Sequence, residues 1–305
     1  MAKYLDPKND LTFKRIFGEH PDLVINFLNA LMPLKADCLI EEIEYLPSEQ
    51  VPDIVGKKNS LVDVKCKDKN GRVFLVEMQM LWTDDFRNRV VFNASKAYVR
   101  QLDKSKSYNL LKPVYTLAIL NENFDNKTEQ FYHHYSIVNC ENTEEVIEGL
   151  QFVFVELPKF KPEKWSDRKM AVLWLKFLRD VGEGMAKLPA ELAENEQIRK
   201  AAELCEEGAF TPEEFARYEG YWDSVRTEIT LLEGAKREGM AEGEAKGMAK
   251  GEAKGMAKGM AKGKAEGKAE GKAEIAISLL KQGVSVEIIS NATGLSVQEI
   301  ENINN

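Results

Sequence analysis

Nine glycines recur at every fourth position from Gly239 to Gly271 without a miss, and an alanine follows each of them two residues later. The positions between are mostly Lys, Glu and Met, which are good helix formers. A period of four lies close to 3.6, so in a straight helix the glycines form one stripe that turns about 40° per repeat. Each glycine costs a helix about 1 kcal/mol relative to alanine, so the tract is marginal by itself. Two readings follow. One is a solvated helical spacer grown by short-repeat expansion; the other is a helix that gains order by packing against a second copy, giving a homo-oligomer. Charges in every repeat exclude a lipid-buried Gly-x-x-x-Gly dimer. As one helix, residues 234–274 would span about 60 Å.

The tract sets the expected domain boundaries. Residues 1–160 form an α/β core, 161–233 a helical extension, 234–274 the repeat spacer, and 275–305 a small helix-turn-helix-like end. A chain of 305 residues with 44% hydrophobic and 30% charged side chains buries an ordinary core, which excludes full disorder. No apolar run approaches the roughly 18 residues of a membrane span, and the N-terminus lacks an apolar signal core. Four scattered cysteines without a Cys-x-x-Cys pair point to a reducing, cytoplasmic setting. Three histidines are too few for zinc chemistry built on a histidine cluster. The net charge is −8, so a nucleic-acid partner has to meet a local basic patch. Residues 231–274 hold ten basic and eight acidic side chains, leaving 32 basic and 42 acidic elsewhere.

Asn9 or Asp10 is placed to cap a first helix with Leu11, Phe13, Ile16 and Phe17 on its apolar face. Pro21 starts a second helix. Strands are predicted over Cys38–Leu46, Leu61–Cys66 and Arg72–Leu81, with Asp68-Lys-Asn-Gly71 as the hairpin turn between the last two. A helix over Asp84–Ser105 follows, with Phe86, Val90, Phe92 and Val99 among its apolar positions. Further strands are predicted over Pro113–Leu120, Phe131–Asn139 and Phe152–Leu157, and then helices. After the repeat, Gly283 and Gly294 end helices, and Ser285 and Ser296 start them. The last of these has no Lys or Arg and two Glu, so packing rather than DNA reading is its expected role.

The hairpin carries the chemistry. Asp63 lies in Leu-Val-Asp-Val, and Glu77 and Gln79 lie in Val-Glu-Met-Gln on the next strand. Side chains alternate along a strand, so Glu77 and Gln79 share a face. A carboxylate among apolar strand residues costs several kcal/mol if buried unpaired, and a bound cation removes that cost. Asp63 and Glu77 together form a hard-oxygen site suited to Mg²⁺. Within 84–112 the cations, Arg87, Arg89, Lys96 and Arg100 among them, exceed the acids by four. That patch suits a phosphate backbone; its plainer reading is a solvated helix face.

The order Asp63, hairpin, Glu77-x-Gln79, helix, strand resembles the PD-(D/E)XK restriction-endonuclease-like fold (αβββαβ). With the N-terminal Asn9-Asp10-Leu-Thr-Phe-Lys-Arg-Ile-Phe17 block, it resembles the Rpn family of recombination-promoting nucleases, also described as PD-(D/E)XK nuclease family transposases. The resemblance covers about residues 5–180 and implies a Mg²⁺-dependent DNA endonuclease tied to recombination or mobile elements. It assigns Asp63 and Glu77 to the metal, with Asp10 completing the shell. Gln79 stands where the superfamily's lysine usually stands. The expected DNA contacts are Arg87, Arg89, Lys96 and Arg100 of the basic run, with Lys14, one turn from Asp10, added to them. A glutamine orients water or a phosphate oxygen but supplies no positive charge, so the departure bears on rate. Two other classes remain open: a nuclease fold that binds DNA or a partner without cutting, and an oligomerising protein that acts through its repeat tail.

Overall fold

The computed structural model describes residues 3–50, 60–102, 107–165 and 168–304. Contacts gather the chain into two units, Met1–Ile229 and Thr230–Asn305.

In the first unit, α1 (Asp10–Gly18) begins at Asn9, whose Oδ1 accepts from the Leu11 N–H at 3.0 Å. Helix α2 (Pro21–Leu31) starts on its proline, where the missing N–H has no intrahelical partner to lose. Next come β1 (Ile43–Tyr45), β2 (Glu49–Gln50), β3 (Ser60–Leu61), β4 (Val64–Asp68) and β5 (Val73–Gln79). Helix α3 (Asp85–Val99) leads to β6 (Val114–Leu120), β7 (Tyr132–Val138) and β8 (Val146–Glu156). Helices α4 (Lys169–Asp180), α5 (Ala190–Ala193) and α6 (Glu196–Glu203) follow, and α7 (Pro212–Lys281) begins in this unit.

Six strands form one sheet in the order β1-β4-β5-β6-β8-β7. β4 and β5 are an antiparallel hairpin, β5, β6 and β8 run parallel, and α3 is the crossover between β5 and β6. β2 and β3 pair separately. The hairpin turn is held by Asp68, whose Oδ1 accepts from the backbone N–H of Asn70 and Arg72, while Gly71 takes φ +81°. That φ strains any residue with a Cβ, which explains the glycine.

Alternation along β5 divides two cores. Phe74 and Val76 face α1, α2 and α4, where Phe17 stacks on Phe27 at 4.4 Å and both meet Trp174. Val73 and Leu75 face α3 through Phe86, Val90, Ala94 and Ala97. Removing a buried aromatic from such a core costs about 3–5 kcal/mol.

Several boundaries differ from the sequence expectation. The strand expected over Cys38–Leu46 is reduced to β1. Ala36–Cys38 forms a 3₁₀ turn, and the Asn29 amide takes both backbone groups of Ile40, at 2.8 and 2.9 Å. The strand expected over Leu61–Cys66 breaks at Asp63. The last strand starts at Val146, earlier than Phe152, because β7 pairs along it through a bulge at Ser136/Ile137. Helix α3 stops at Val99, and of its apolar positions Phe92 and Val99 are exposed. Residues 103–106, including the expected helix end and Asp103, Lys104 and Lys106 of the basic run, lie outside the described residues, as does residue 167 near the start of the expected helical region.

In the second unit, α7 continues through the repeat, and a Cβ built on any of the nine glycines meets nothing within 4 Å. Helices α8 (Val286–Thr293) and α9 (Val297–Asn304) close the chain around Ala276, Ile289 and Ile300. Ser296 and Glu299 cap α9 reciprocally, whereas Ser285 precedes α8 without a side-chain cap bond. Among the described residues, no helix is long and apolar enough to cross a membrane.

Candidate active site

The hairpin ladder ends at Val64↔Val76, while β5 continues to Gln79 paired with β6. Beyond that point the β4 side of β5 has no strand partner among the described residues. Asp63 takes the partner's place: its Oδ2 accepts from the Met78 N–H at 2.6 Å. The strand break thus turns the Asp63 carboxylate to the same end of β5 as Glu77. Both line a cleft of about 690 Å³ with Gln79, Arg89, Phe92 and Asn93.

Glu77 is 4% exposed. Its Oε1 accepts from Asn93 Nδ2 at 3.0 Å, and its Oε2 lies 3.8 Å from Arg89 Nη2. Gln79 is clamped at both ends. Its Nε2 donates to the Leu81 carbonyl at 2.5 Å, and its Oε1 accepts from Arg89 Nη2 at 2.6 Å. Arg89 and Asn93 are one helical turn apart on α3, so both side chains reach the same strand end. The Arg89 guanidinium also sits 4.8 Å over the Phe86 ring.

The electrostatics of the two carboxylates are unfavourable as they stand. Asp63 is pushed up to about 7, chiefly by burial and to a smaller extent by Glu77 and Asp10, against the Met78 N–H and Lys14. Burial likewise raises Glu77, against Asn93 and Arg89. Each carboxylate therefore holds a proton more tightly than an exposed one.

The other expected site residues are distributed more widely. Asp10 is ion-paired to Lys14 at 2.7 Å and does not line the cleft, although its charge is felt at Asp63. Among the described residues, no three His, Cys, Asp or Glu side chains gather as a metal-binding group. Arg87 points away from the cleft, 4.4 Å over Phe124 and 5.5 Å over Trp82. Lys96 stands 5.6 Å over Phe92. Arg100 follows the last residue of α3, and with Lys96 it acts on Lys65 of β4, whose pKa is lowered first by burial and then by these two cations.

Comparison with known proteins decides the family. The family described as PD-(D/E)XK nuclease family transposase matches residues 7–235, three quarters of the chain. The chain belongs to this family. No curated protein and no solved structure matches it. In this PD-(D/E)XK chain the mixed α/β sheet, the hairpin and the crossover helix are the elements that build the cleft.

The donor set fits the divalent cation that PD-(D/E)XK nucleases generally use. Mg²⁺ keeps several waters and takes one or two carboxylates, so Asp63 and Glu77 suffice without a third protein ligand. Burial raises both pKa values, and a cation would offset that cost together with the smaller repulsion that Glu77 adds at Asp63. Sequence reasoning did not find Asn93, which orients Glu77, nor Tyr221, whose pKa is raised by burial and by Asp10 and Asp63. Neither carries a local signal: both matter only through pairings across more than ten residues.

Proposed function

We propose that the chain is a Mg²⁺-dependent DNA endonuclease that hydrolyses phosphodiester bonds in recombination or the movement of mobile elements. One observation carries this reading: in a PD-(D/E)XK chain, the Asp63 carboxylate at the strand break and the Glu77 carboxylate of β5 line one cleft, and burial raises the proton affinity of both. Asp63 and Glu77 are the metal ligands. Such a cation acts as a Lewis acid on a phosphoryl oxygen and makes water a stronger nucleophile at neutral pH. Asn93 and the Met78 N–H fix the orientation of the two carboxylates. Asp10 acts on Asp63 through its charge, from the Asp10–Lys14 ion pair.

Arg89 answers the question raised by Gln79. The position usually held by lysine is neutral, but Gln79 Oε1 holds the Arg89 guanidinium within 2.6 Å. In this reading Gln79 aims Arg89, and Arg89 supplies the positive charge that offsets the phosphate in the transition state. The test is nicking of supercoiled plasmid by purified full-length protein with and without Mg²⁺. Asp63→Ala is expected to lose cleavage by about 10³-fold while remaining folded by circular dichroism. Undiminished cleavage by that variant overturns the site.

A further inference from the structure

Helix α3 buries Phe86, Val90, Asn93, Ala94 and Ala97. A second stripe on the same helix, Arg89, Phe92, Lys96 and Arg100, has spacings of three, four and four, so these residues lie along one face. The core does not use this stripe. It begins inside the cleft, where Arg89 and Phe92 are lining residues beside Asp63 and Glu77, and it leaves the cleft through Lys96 and Arg100. Phe92 is 47% exposed, with the Lys96 ammonium on its ring. Leu61, which also lines the cleft, is 57% exposed. A solvated helix face and a duplex phosphate backbone both call for polar or cationic side chains, and neither gives a reason for an apolar ring in the cleft mouth. A base within a duplex is stacked on its neighbours and offers no face to a side chain. An unpaired base does, and alternating cations and aromatics are the chemistry that holds single strands.

We propose that α3 is a single-strand platform: the base beside the scissile phosphate lies on Phe92, and the flanking phosphates run along Lys96 and Arg100. The preferred substrate is then DNA with unpaired bases at the cleft, rather than an intact duplex. This rests on the endonuclease reading above for its scissile phosphate, but binding tests it separately. The full-length protein is titrated in EDTA, where no divalent ion permits cleavage, against fluorescein-labelled single-stranded, duplex and bubble-containing DNA of one sequence. A strand carrying 2-aminopurine reports stacking by fluorescence quenching.

Single-stranded and bubble DNA should bind about tenfold more tightly than duplex, and 2-aminopurine should be quenched. Loss of one base–aromatic stack weakens binding by roughly 5- to 150-fold. Phe92→Leu should therefore remove most of the preference and the quenching and leave duplex affinity unchanged, while Phe92→Tyr keeps both. Because Phe92 is exposed, neither change removes a core side chain. Equal affinity of the wild type for single strand and duplex, or an equal loss of both in Phe92→Leu, overturns the platform. A protein that shows the preference yet cuts no DNA with Mg²⁺ instead overturns the endonuclease reading and leaves the platform standing.

Discussion

Helix α3 and the repeat stretch of α7 are both helices with long polar faces, but they use their sequence differently. In α3 single positions have separate tasks within 15 residues: Phe86 and Val90 pack, Asn93 holds Glu77, and Arg89 is aimed by Gln79. In the repeat, nine glycines present the same open surface and meet nothing within 4 Å. Heterogeneous sequence places individual atoms, whereas periodic sequence sets a length and a continuous surface. A site that must hold two carboxylates and a guanidinium within a few ångströms needs the first kind of helix.

The sharpest way to break this contrast is to change one cation on each helix. Arg89→Ala should lower plasmid cleavage by about 10²-fold, the effect of removing one preorganised electrostatic group. Gln79→Lys in the same chain should restore part of the rate, because it returns the charge to the strand. Lys250→Ala in the repeat should change the rate less than about twofold, as expected of a solvated charge away from any site. Equal effects at Arg89 and Lys250 would abolish the distinction.

A second effect concerns pH. Asp63 binds its proton more tightly in the folded chain, where its pKa is about 7. Between about pH 4 and 7 the folded state keeps a proton that the unfolded chain has released. Without divalent metal, stability should therefore fall as pH rises through that window, by on the order of 4 kcal/mol, and level off above it. Glu77, also raised, acts in the same direction. Asp63→Asn should flatten the thermal-melt profile. Saturating Mg²⁺ should reverse the slope, because the ionised carboxylate is the ligand.

Truncation near Leu232 tests the other side of the comparison. Cleavage by the shortened chain should stay within about threefold of the full length, while light scattering should report a smaller assembly if the repeat packs against a second copy. Loss of cleavage in a folded truncation would give the repeat a part in DNA engagement. The smallest effect is expected from Gly255→Ala. It should raise helix stability by about 0.5–1 kcal/mol and leave activity unchanged, since nothing lies where the new methyl group goes.

What could be read from the sequence was local. Asn9 as a cap, Pro21 as a helix start, the Asp68–Gly71 turn and the alternation that pairs Glu77 with Gln79 all depend on residues within a few positions. The carboxylates drew attention because they interrupt apolar strands. The orientation of α3 was harder to read. Its apolar residues lie on two faces, and spacing alone did not separate Phe92 and Val99, which are exposed, from Phe86 and Val90, which are buried. Only the register of the helix on β5 shows that Asn93 goes in and Phe92 stays out. The early start of β8 depends on β7, and the break at Asp63 depends on how far β5 outruns its neighbour. These facts belong to pairings between distant segments, which no window of sequence contains.

The Asp63–Met78 contact has a consequence for observing this protein. An amide that donates to a carboxylate senses the electron density on that oxygen, which differs among protonated, ionised and cation-bound forms. The Met78 amide resonance is therefore a built-in spectroscopic probe of the site. Its proton shift should report the ionisation state of Asp63 in solution without any substrate present. Its exchange rate with deuterium should report how often the open end of the hairpin parts, independently of the ladder that holds the rest of β5.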